Sequence, residues 1–422
     1  MRLFLSAVAA SGAFAIAAVT PAGATPIRAE SSGSYLVDGV HTLKEHNRIA
    51  AIGVSIDAVE NGVLDISATR SEVKQLRELG FPVTKVAATE SFPAADSKYH
   101  TYAEMVAELN QVVAAHPSIA LKKSIGTSYE GRDLPIIKIS DHVGTDEHEP
   151  EVLYDAHQHA REHLTVEMAL YLIHLFTDNY GKDPRITHIV NSRELWIVPD
   201  MNPDGGEYDI SAGTYHYWRK NRQPNTGTTD VGTDLNRNWG YQWGCCASAS
   251  DDPSSETYRG PSAFSSTEAR RLRDFVLSRR IGGVQQIKTN IDFHSYSELV
   301  VWPFGYTAAT TGTGMNADQE ATFRTLGGQL ARSNGYTAER SSALYLVDGD
   351  SIDWMWATQG IVAYAFEMFP AAASDGGFYP PYAVIPAQTA RNREASLQIA
   401  EYADCPYRII GKQAQYCGSY GR

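Results

Sequence analysis

The sequence predicts an α/β domain in which helices cover both faces of a buried sheet, and three observations carry that prediction. From Tyr99 onward, amphipathic helical stretches alternate with short apolar runs, the order expected of layered α/β folds. Several of those runs are continuous rather than alternating, as suits strands buried on both sides. Residues with metal-binding and acid–base chemistry stand just beyond the ends of the runs. Composition agrees: of 422 residues, 43% are hydrophobic and 20% charged, the balance of a globular chain rather than a disordered one. The 49 acidic against 36 basic side chains give a net charge of -13, which argues against a nucleic-acid binder, since that function calls for a basic face.

In chain order, residues 1–24 read as a secretory leader. Arg2 supplies the positive start, residues 3–19 an apolar stretch, and Ala22-Gly23-Ala24 an A-x-A cleavage signature. The stretch is too rich in Ala, Ser and Gly, and slightly short, for a comfortable membrane span, and no other run approaches ~18 consecutive apolar residues. A secreted protein without membrane attachment is expected. Residues 25–90 differ in texture, with strand-like runs at 50–54 and 63–67, a helical stretch at 71–79 closed by Gly80, and almost no aromatic residues. Residues 87–95 read as an exposed linker. A small unit followed by a soft linker predicts a removable pro-segment over 25–90, with an activating protease as partner; a permanent accessory domain is the alternative.

Residues 91–422 are then expected to form one large α/β domain. Helical periodicity marks 102–115, 165–179, 267–280, 317–334 and 388–402, and apolar strand runs mark 135–140, 151–156, 194–198, 290–294, 299–303 and 361–367. The Gly-, Ser- and Thr-rich stretch 225–260 reads as long functional loops.

After the 151–156 run, His159 and Glu162 stand three apart, so on a helical turn they project to one side. Imidazole nitrogen and carboxylate oxygen both suit zinc, which takes three protein ligands and an open position in catalytic sites. His157 and His163 are rival ligands, and a second His-x-x-Glu, His148 to Glu151, lies in an acidic proline-containing loop. His294 ends the 290–294 run and can supply the third ligand. Arg219 and Arg237 lie in polar, aromatic loops; a guanidinium grips a carboxylate in bidentate fashion or stabilises an oxyanion. Glu367 closes the last apolar strand, the position of either a paired structural ion or a catalytic base.

The segments HAREH, NPDGGEYD, WRKNR, GTDLNRN, FHSYSEL, ALYLVDGDSIDW and AYAFEMFP, in this order, resemble the zinc carboxypeptidases of the pancreatic carboxypeptidase A/B family. The chain from residue 91 to 417 is most similar to the secreted bacterial carboxypeptidase T type. The resemblance implies a three-layer α/β/α fold with a mixed, twisted central sheet and a zinc site at strand ends. It implies His159, Glu162 and His294 as zinc ligands, Glu367 as general base and Arg219 as oxyanion stabiliser. Asn236 and Arg237 would hold the substrate's terminal carboxylate, Tyr345 would cap it, and Arg161 would line the neighbouring subsite. The partners would be peptide and protein C-termini, neither nucleic acid nor membrane, and the protein would be a monomer.

Ile352 matches the position where A-like enzymes carry an apolar residue and B-like ones an aspartate. Asp350 matches an acid of the carboxypeptidase T type, which has threonine in place of Ile352. Broad selectivity is expected, hydrophobic first, with Lys and Arg tolerated. Ser140, Asp141, Asp146, Glu147, Glu149 and Glu151 crowd hard oxygen donors into one loop, the chemistry calcium prefers. The carboxypeptidase T type binds calcium at matching positions, together with Ser97, Tyr99, Glu104 and Glu194. Cys245 and Cys246 are adjacent and rarely bridge comfortably, so two bridges from that loop to Cys405 and Cys417 are expected; no cysteine falls in the site motifs. Two other readings remain: a related hydrolase of cell-wall peptides, and a non-enzymatic relative, which would be expected to have lost Glu367 or a zinc ligand.

Overall fold

The computed structural model describes residues 32–86, 98–246 and 248–417. The leader at 1–24, the linker at 87–95 and Ser97 lie outside these residues. Residues 32–86 form a small unit with strands β1 (Gly33–Asp38), β2 (Ser55–Glu60), β3 (Val63–Ala68) and β4 (Val83–Lys85) and helices α1 (Leu43–Ala50) and α2 (Arg70–Glu78). The sheet runs in the order β2-β3-β1-β4 and is antiparallel throughout. Each helix starts with a capping box, Thr42 with Glu45 and Thr69 with Glu72, in which side chain and backbone satisfy one another's free N–H groups. Val37, Ile49, Leu64, Ile66 and Leu76 fill its core. The strand expected at 50–54 is not there. The Thr42 cap starts a helix that runs through Ala50, Gly53 turns the chain at φ +105°, and the strand begins at Ser55.

The larger unit contains, in order, α3 (Tyr102–Ala115), β5 (Ala120–Thr127), β6 (Asp133–Ile139), β7 (Glu151–Ala156), α4 (Leu164–Asp178), α5 (Pro184–Val190), β8 (Glu194–Val198), α6 (Pro203–Asp209) and α7 (Thr267–Ser278). There follow the short hairpin β9 (Arg280–Ile281) and β10 (Val284–Gln285), then β11 (Ile287–Ser295), β12 (Leu299–Trp302), α8 (Ala317–Asn334), β13 (Thr337–Arg340), α9 (Ser351–Gln359), β14 (Val362–Met368), α10 (Ile385–Arg391), α11 (Arg393–Glu401) and α12 (Gln413–Tyr416). The central sheet has 8 strands in the order β13-β12-β14-β11-β7-β8-β6-β5. Strands β14, β11, β7 and β8 are parallel neighbours, whereas β12 against β14 and the β8-β6-β5 edge are antiparallel. The sheet is therefore mixed, as expected.

Both faces are covered. Along β7, Val152 and Tyr154 enter one core with Met105 of α3, Phe176 of α4, Phe323 of α8 and Leu397 of α11. Leu153 enters the opposite core with Leu272 and Val276 of α7 and Met355 of α9. This split explains why the sequence of β7 is apolar without alternation.

Two further expectations fail. The helix read at 388–402 is two helices, because Asn392 leaves helical geometry and its buried amide donates to Tyr336 Oη while accepting from Asn334. The cysteines do not tie loop to tail: Cys245 bridges Cys246, and Cys405 bridges Cys417 across a Cα separation of 5.7 Å. Turns after α11 fold the tail back so that Cys405 and Cys417 meet locally. The loop is held instead by polar bonds, Ser248 and Ala249 donating to Asp348.

Candidate active site

Three parallel strands deliver the chemistry to one edge. β7 leads into His157–Glu162, β11 ends at His294 and Ser295, and β14 carries Glu367, which lies directly opposite His294 in the register. His159 Nδ1 lies 2.7 Å from Glu162 Oε1, and His294 Nδ1 lies 3.1 Å from both Glu162 Oε2 and His159 Nδ1. All three side chains are buried, with ligand atoms within 4.8 Å of one another. With the Nε2 atoms of both rings facing carboxylates, Asp234 and Asp292, and holding their protons there, the two Nδ1 lone pairs face each other across 3.1 Å, an arrangement that a cation between them relieves. With the carboxylate they make the donor set of a catalytic zinc, so the residues fit that ion.

Asp234, which the sequence reading did not assign, accepts from His159 Nε2 at 3.2 Å and from Arg219 Nε at 2.9 Å. Burial opposes its charge, yet Arg219 and His159 hold its carboxyl well below the usual range. The bond fixes the His159 ring with Nδ1 toward the metal position. The rival histidines are engaged elsewhere: His157 lies 2.8 Å from Asp200 Oδ1, and His163 lies 2.9 Å from Asp209 Oδ2.

One cleft is lined by His159, Glu162, Arg219, Asn236, Arg237, His294, Tyr345, Asp350, Ile352 and Glu367. Burial, reinforced by the charge of Glu162, outweighs the pull of His294 and pushes the Glu367 carboxyl up to about 8 in the cleft without a cation; a divalent ion held beside it would lower that value and favour the carboxylate. Arg237 donates to Tyr345 Oη at 3.1 Å. Asn236 Oδ1 accepts from the Ser351 N–H at 2.8 Å, at the first turn of α9. Asp350 caps α9 by accepting from the Asp353 N–H at 2.8 Å, and burial pushes its carboxyl up to about 7. Val301, Leu344, Val347, Ile352 and Ala365 give the cleft around Asp350 apolar walls. Gly349 has φ +70°, and a Cβ there would sit 2.6 Å from the Arg237 carbonyl oxygen. Only glycine lets the Asp350 loop approach so close.

Arg161 is not open to the cleft; it is fully buried and reaches into the N-terminal unit. Its Nη2 donates to Asp57 Oδ1 at 2.8 Å and its Nη1 to Ser67 Oγ at 2.7 Å, while its guanidinium lies 4.0 Å over the Phe378 ring. Ile56 and Asp57 of β2 join the lining of the cleft. His46 Nδ1 contacts the Leu344 carbonyl at 2.6 Å, and Asn47 accepts from the Leu346 N–H at 2.7 Å. The N-terminal unit thus roofs the site and packs on Tyr345.

The acidic loop is only partly assembled. Arg279 binds Glu151 and Asp146, and Lys138 binds Glu194 at 2.7 Å. Asp141, Glu147 and His142 form a cluster beside them, and Ser140 Oγ donates to Glu147 at 3.3 Å. Glu149 Oε2 and Glu194 Oε2 are buried without a hydrogen-bond partner among the described residues. Tyr99 and Glu104 are occupied otherwise: Tyr99 Oη donates to the Pro380 carbonyl at 2.8 Å, and Glu104 belongs to the capping box of α3.

Comparison with known proteins agrees with this geometry. The family model for zinc carboxypeptidases matches residues 105–395. A zinc carboxypeptidase from Saccharothrix mutabilis subsp. capreolus is 43% identical over 390 residues, 88% of this chain and 89% of that protein. A zinc carboxypeptidase from Simulium vittatum is 34% identical over 294 residues, 68% of this chain and 91% of that one. The crystal structure of carboxypeptidase A from Helicoverpa armigera superposes with a TM-score of 0.73 at 22% identity, over 90% of this chain and 98% of that chain, a likeness of fold. The cleft, its converging His, Glu and His side chains and these matches lead to one conclusion: the chain belongs to the zinc carboxypeptidase family.

Proposed function

We propose that this zinc carboxypeptidase is secreted as a precursor and, once freed of its N-terminal unit, removes hydrophobic and also basic residues from peptide C-termini. One observation carries the reading: a metal-type His, Glu and His set shares its cleft with Arg237 and Tyr345. His159, Glu162 and His294 would hold the zinc. When bound, zinc supplies Lewis-acid chemistry that polarises a carbonyl and eases deprotonation of water. Glu367 takes the proton from the water as it attacks the carbonyl carbon, then hands it to the amine as the C–N bond breaks. Arg219, oriented by Asp234, donates N–H groups to the developing oxyanion. Arg237 and Asn236 bind the free terminal carboxylate, with Tyr345 closing over it, and this demand confines cleavage to chain ends.

Ile352 and the other apolar walls favour hydrophobic side chains, and an ionised Asp350 admits Lys and Arg. Residues 25–90 act as the pro-segment. The Asp57–Arg161 ion pair and the β2 roof support this reading by occupying the subsite that Arg161 would offer a substrate. Secretion rests on the leader at 1–24, and no helix among the described residues is long and apolar enough to cross a membrane. Calcium belongs to Asp141, Glu147, Glu149 and Glu194, supported by the buried Glu149 and Glu194 oxygens that no hydrogen bond satisfies among the described residues.

A short peptide with a free C-terminus tests the proposal. The enzyme treated to remove residues 25–90 should release its last residue, leave the amidated peptide intact, and act much faster than the uncut chain. Equal cleavage of both peptides would sink it.

A further inference from the structure

His159 and His294 present Nδ1 to each other and Nε2 outward, and the outward nitrogens meet carboxylates of different origin. His159 has Asp234. His294 Nε2 lies 3.0 Å from Asp292 Oδ2. Asp292 stands two residues earlier on β11, so both side chains leave the same face of the strand, and it is fully buried. The other polar atom beside Nε2 is the Asn236 amide nitrogen at 3.3 Å, a donor that cannot accept an imidazole N–H. The Asn236 amide cannot be turned to offer its oxygen, because Oδ1 already accepts from Ser351 N–H. Asp292 Oδ2 is therefore the acceptor for His294. Its role as an acceptor is over-determined, since the Gln158 side-chain amide and the Ser351 hydroxyl, at 2.6 Å, also donate to that oxygen.

We infer that Asp292 is a positioning residue for the zinc ligand His294, holding its proton on Nε2 and its Nδ1 lone pair toward the metal. The inference rests on the zinc-site reading above. Gln158 follows β7 and Ser351 opens α9, so two other elements clamp the carboxylate that clamps the ligand. A carboxylate behind a ligating imidazole raises its basicity and fixes its ring, and loss of such a partner costs metal affinity.

The test compares the full-length protein with its Asp292→Asn variant by zinc titration against a chelator of known affinity. The variant should bind zinc about 10–100-fold more weakly, while the two metal-free proteins melt alike. A folded variant whose zinc affinity lies within about threefold of the parent overturns the inference alone. A parent chain that binds no zinc at His159, Glu162 and His294 overturns the metal-centre reading with it. A second measurement serves if the variant fails to fold. In the unaltered zinc-loaded protein labelled with ¹⁵N-histidine, His294 should show a metal-bound Nδ1 and a protonated Nε2 whose proton is shifted downfield and slow to exchange. An unprotonated or freely exchanging Nε2 overturns the assignment.

Discussion

The parallel strands β7, β8 and β11 bring buried acid together at one end, Glu151 and Glu194 opening β7 and β8, and the His159, Glu162 and His294 cluster at the other, beyond β7 and at the end of β11, and the two ends resolve their charge differently. At the C-terminal ends, His159, Glu162 and His294 face one another with nothing of the chain between them, and their outer atoms are taken by Asp234 and Asp292. At the N-terminal ends, Glu151 and Glu194 are fully buried too, but Arg279 and Lys138 reach them at 2.5 and 2.7 Å. Clustered donors call for an outside cation where the fold withholds its own. Where Arg279 and Lys138 are supplied, most of the same oxygen chemistry becomes internal ion pairing.

The sharpest way to break this contrast is at the catalytic end. Glu367→Gln keeps the shape of the cleft but removes the proton acceptor, and should lower kcat on the order of 10³-fold while zinc content by elemental analysis stays unchanged. Loss of less than about tenfold would remove Glu367 from its role. Next comes Arg279→Leu at the other end. It leaves Glu151 buried without its cation, so a cost of about 3–5 kcal/mol is expected, read as a lower denaturation midpoint with kcat on a short peptide retained.

How much of the contrast was legible in sequence differs between the ends. His159, Glu162, His294 and Glu367 each end or follow an apolar run, so strand periodicity located them, and family motifs paired them across more than a hundred residues of chain. The acidic loop was equally visible as donors. Its cations were not, because Arg279 closes α7 more than a hundred residues from Glu151 and nothing local marks its destination. Asp292 was passed over for a related reason: inside an apolar strand it reads as an interruption until the register puts it behind His294. The Thr42–Glu45 cap, by contrast, is a sequence signature that could have placed α1. The vicinal pairing of Cys245 with Cys246 ran against general disulfide geometry, and only the three-dimensional path of the tail excluded the alternative.

Smaller effects sharpen the comparison. At the N-terminal end Glu149 Oε2 has no hydrogen-bond partner among the described residues and Glu194 Oε2 has only the Arg279 guanidinium at 3.8 Å, and burial with the charges of Glu147, Asp141 and Glu194 pushes the Glu149 carboxyl up to about 7. If calcium completes that end, saturating Ca²⁺ at about 100 times its dissociation constant should stabilise the protein by about 2.7 kcal/mol. The check is a thermal melt with and without a calcium-selective chelator, zinc retained; unchanged melting would show that Arg279 and Lys138 suffice. At the catalytic end, Asp350 is raised to about 7. It is neutral below that pH and charged above it, so the ratio of kcat/KM for C-terminal Lys over Leu should rise several-fold as pH climbs from 6 to 8. Asp350→Asn should flatten that rise.

The Asp57–Arg161 contact has a kinetic consequence. While the chain is intact, the roof and the cleft are parts of one molecule, and their encounter does not weaken on dilution. Their effective concentration is set by the length of chain that joins them. A single cut between the two units turns that encounter into an ordinary bimolecular equilibrium. On the proposed pro-segment reading, activation has two stages, a proteolytic one that frees little activity at high protein concentration, and a dispersive one in which each enzyme molecule loses its partner on dilution.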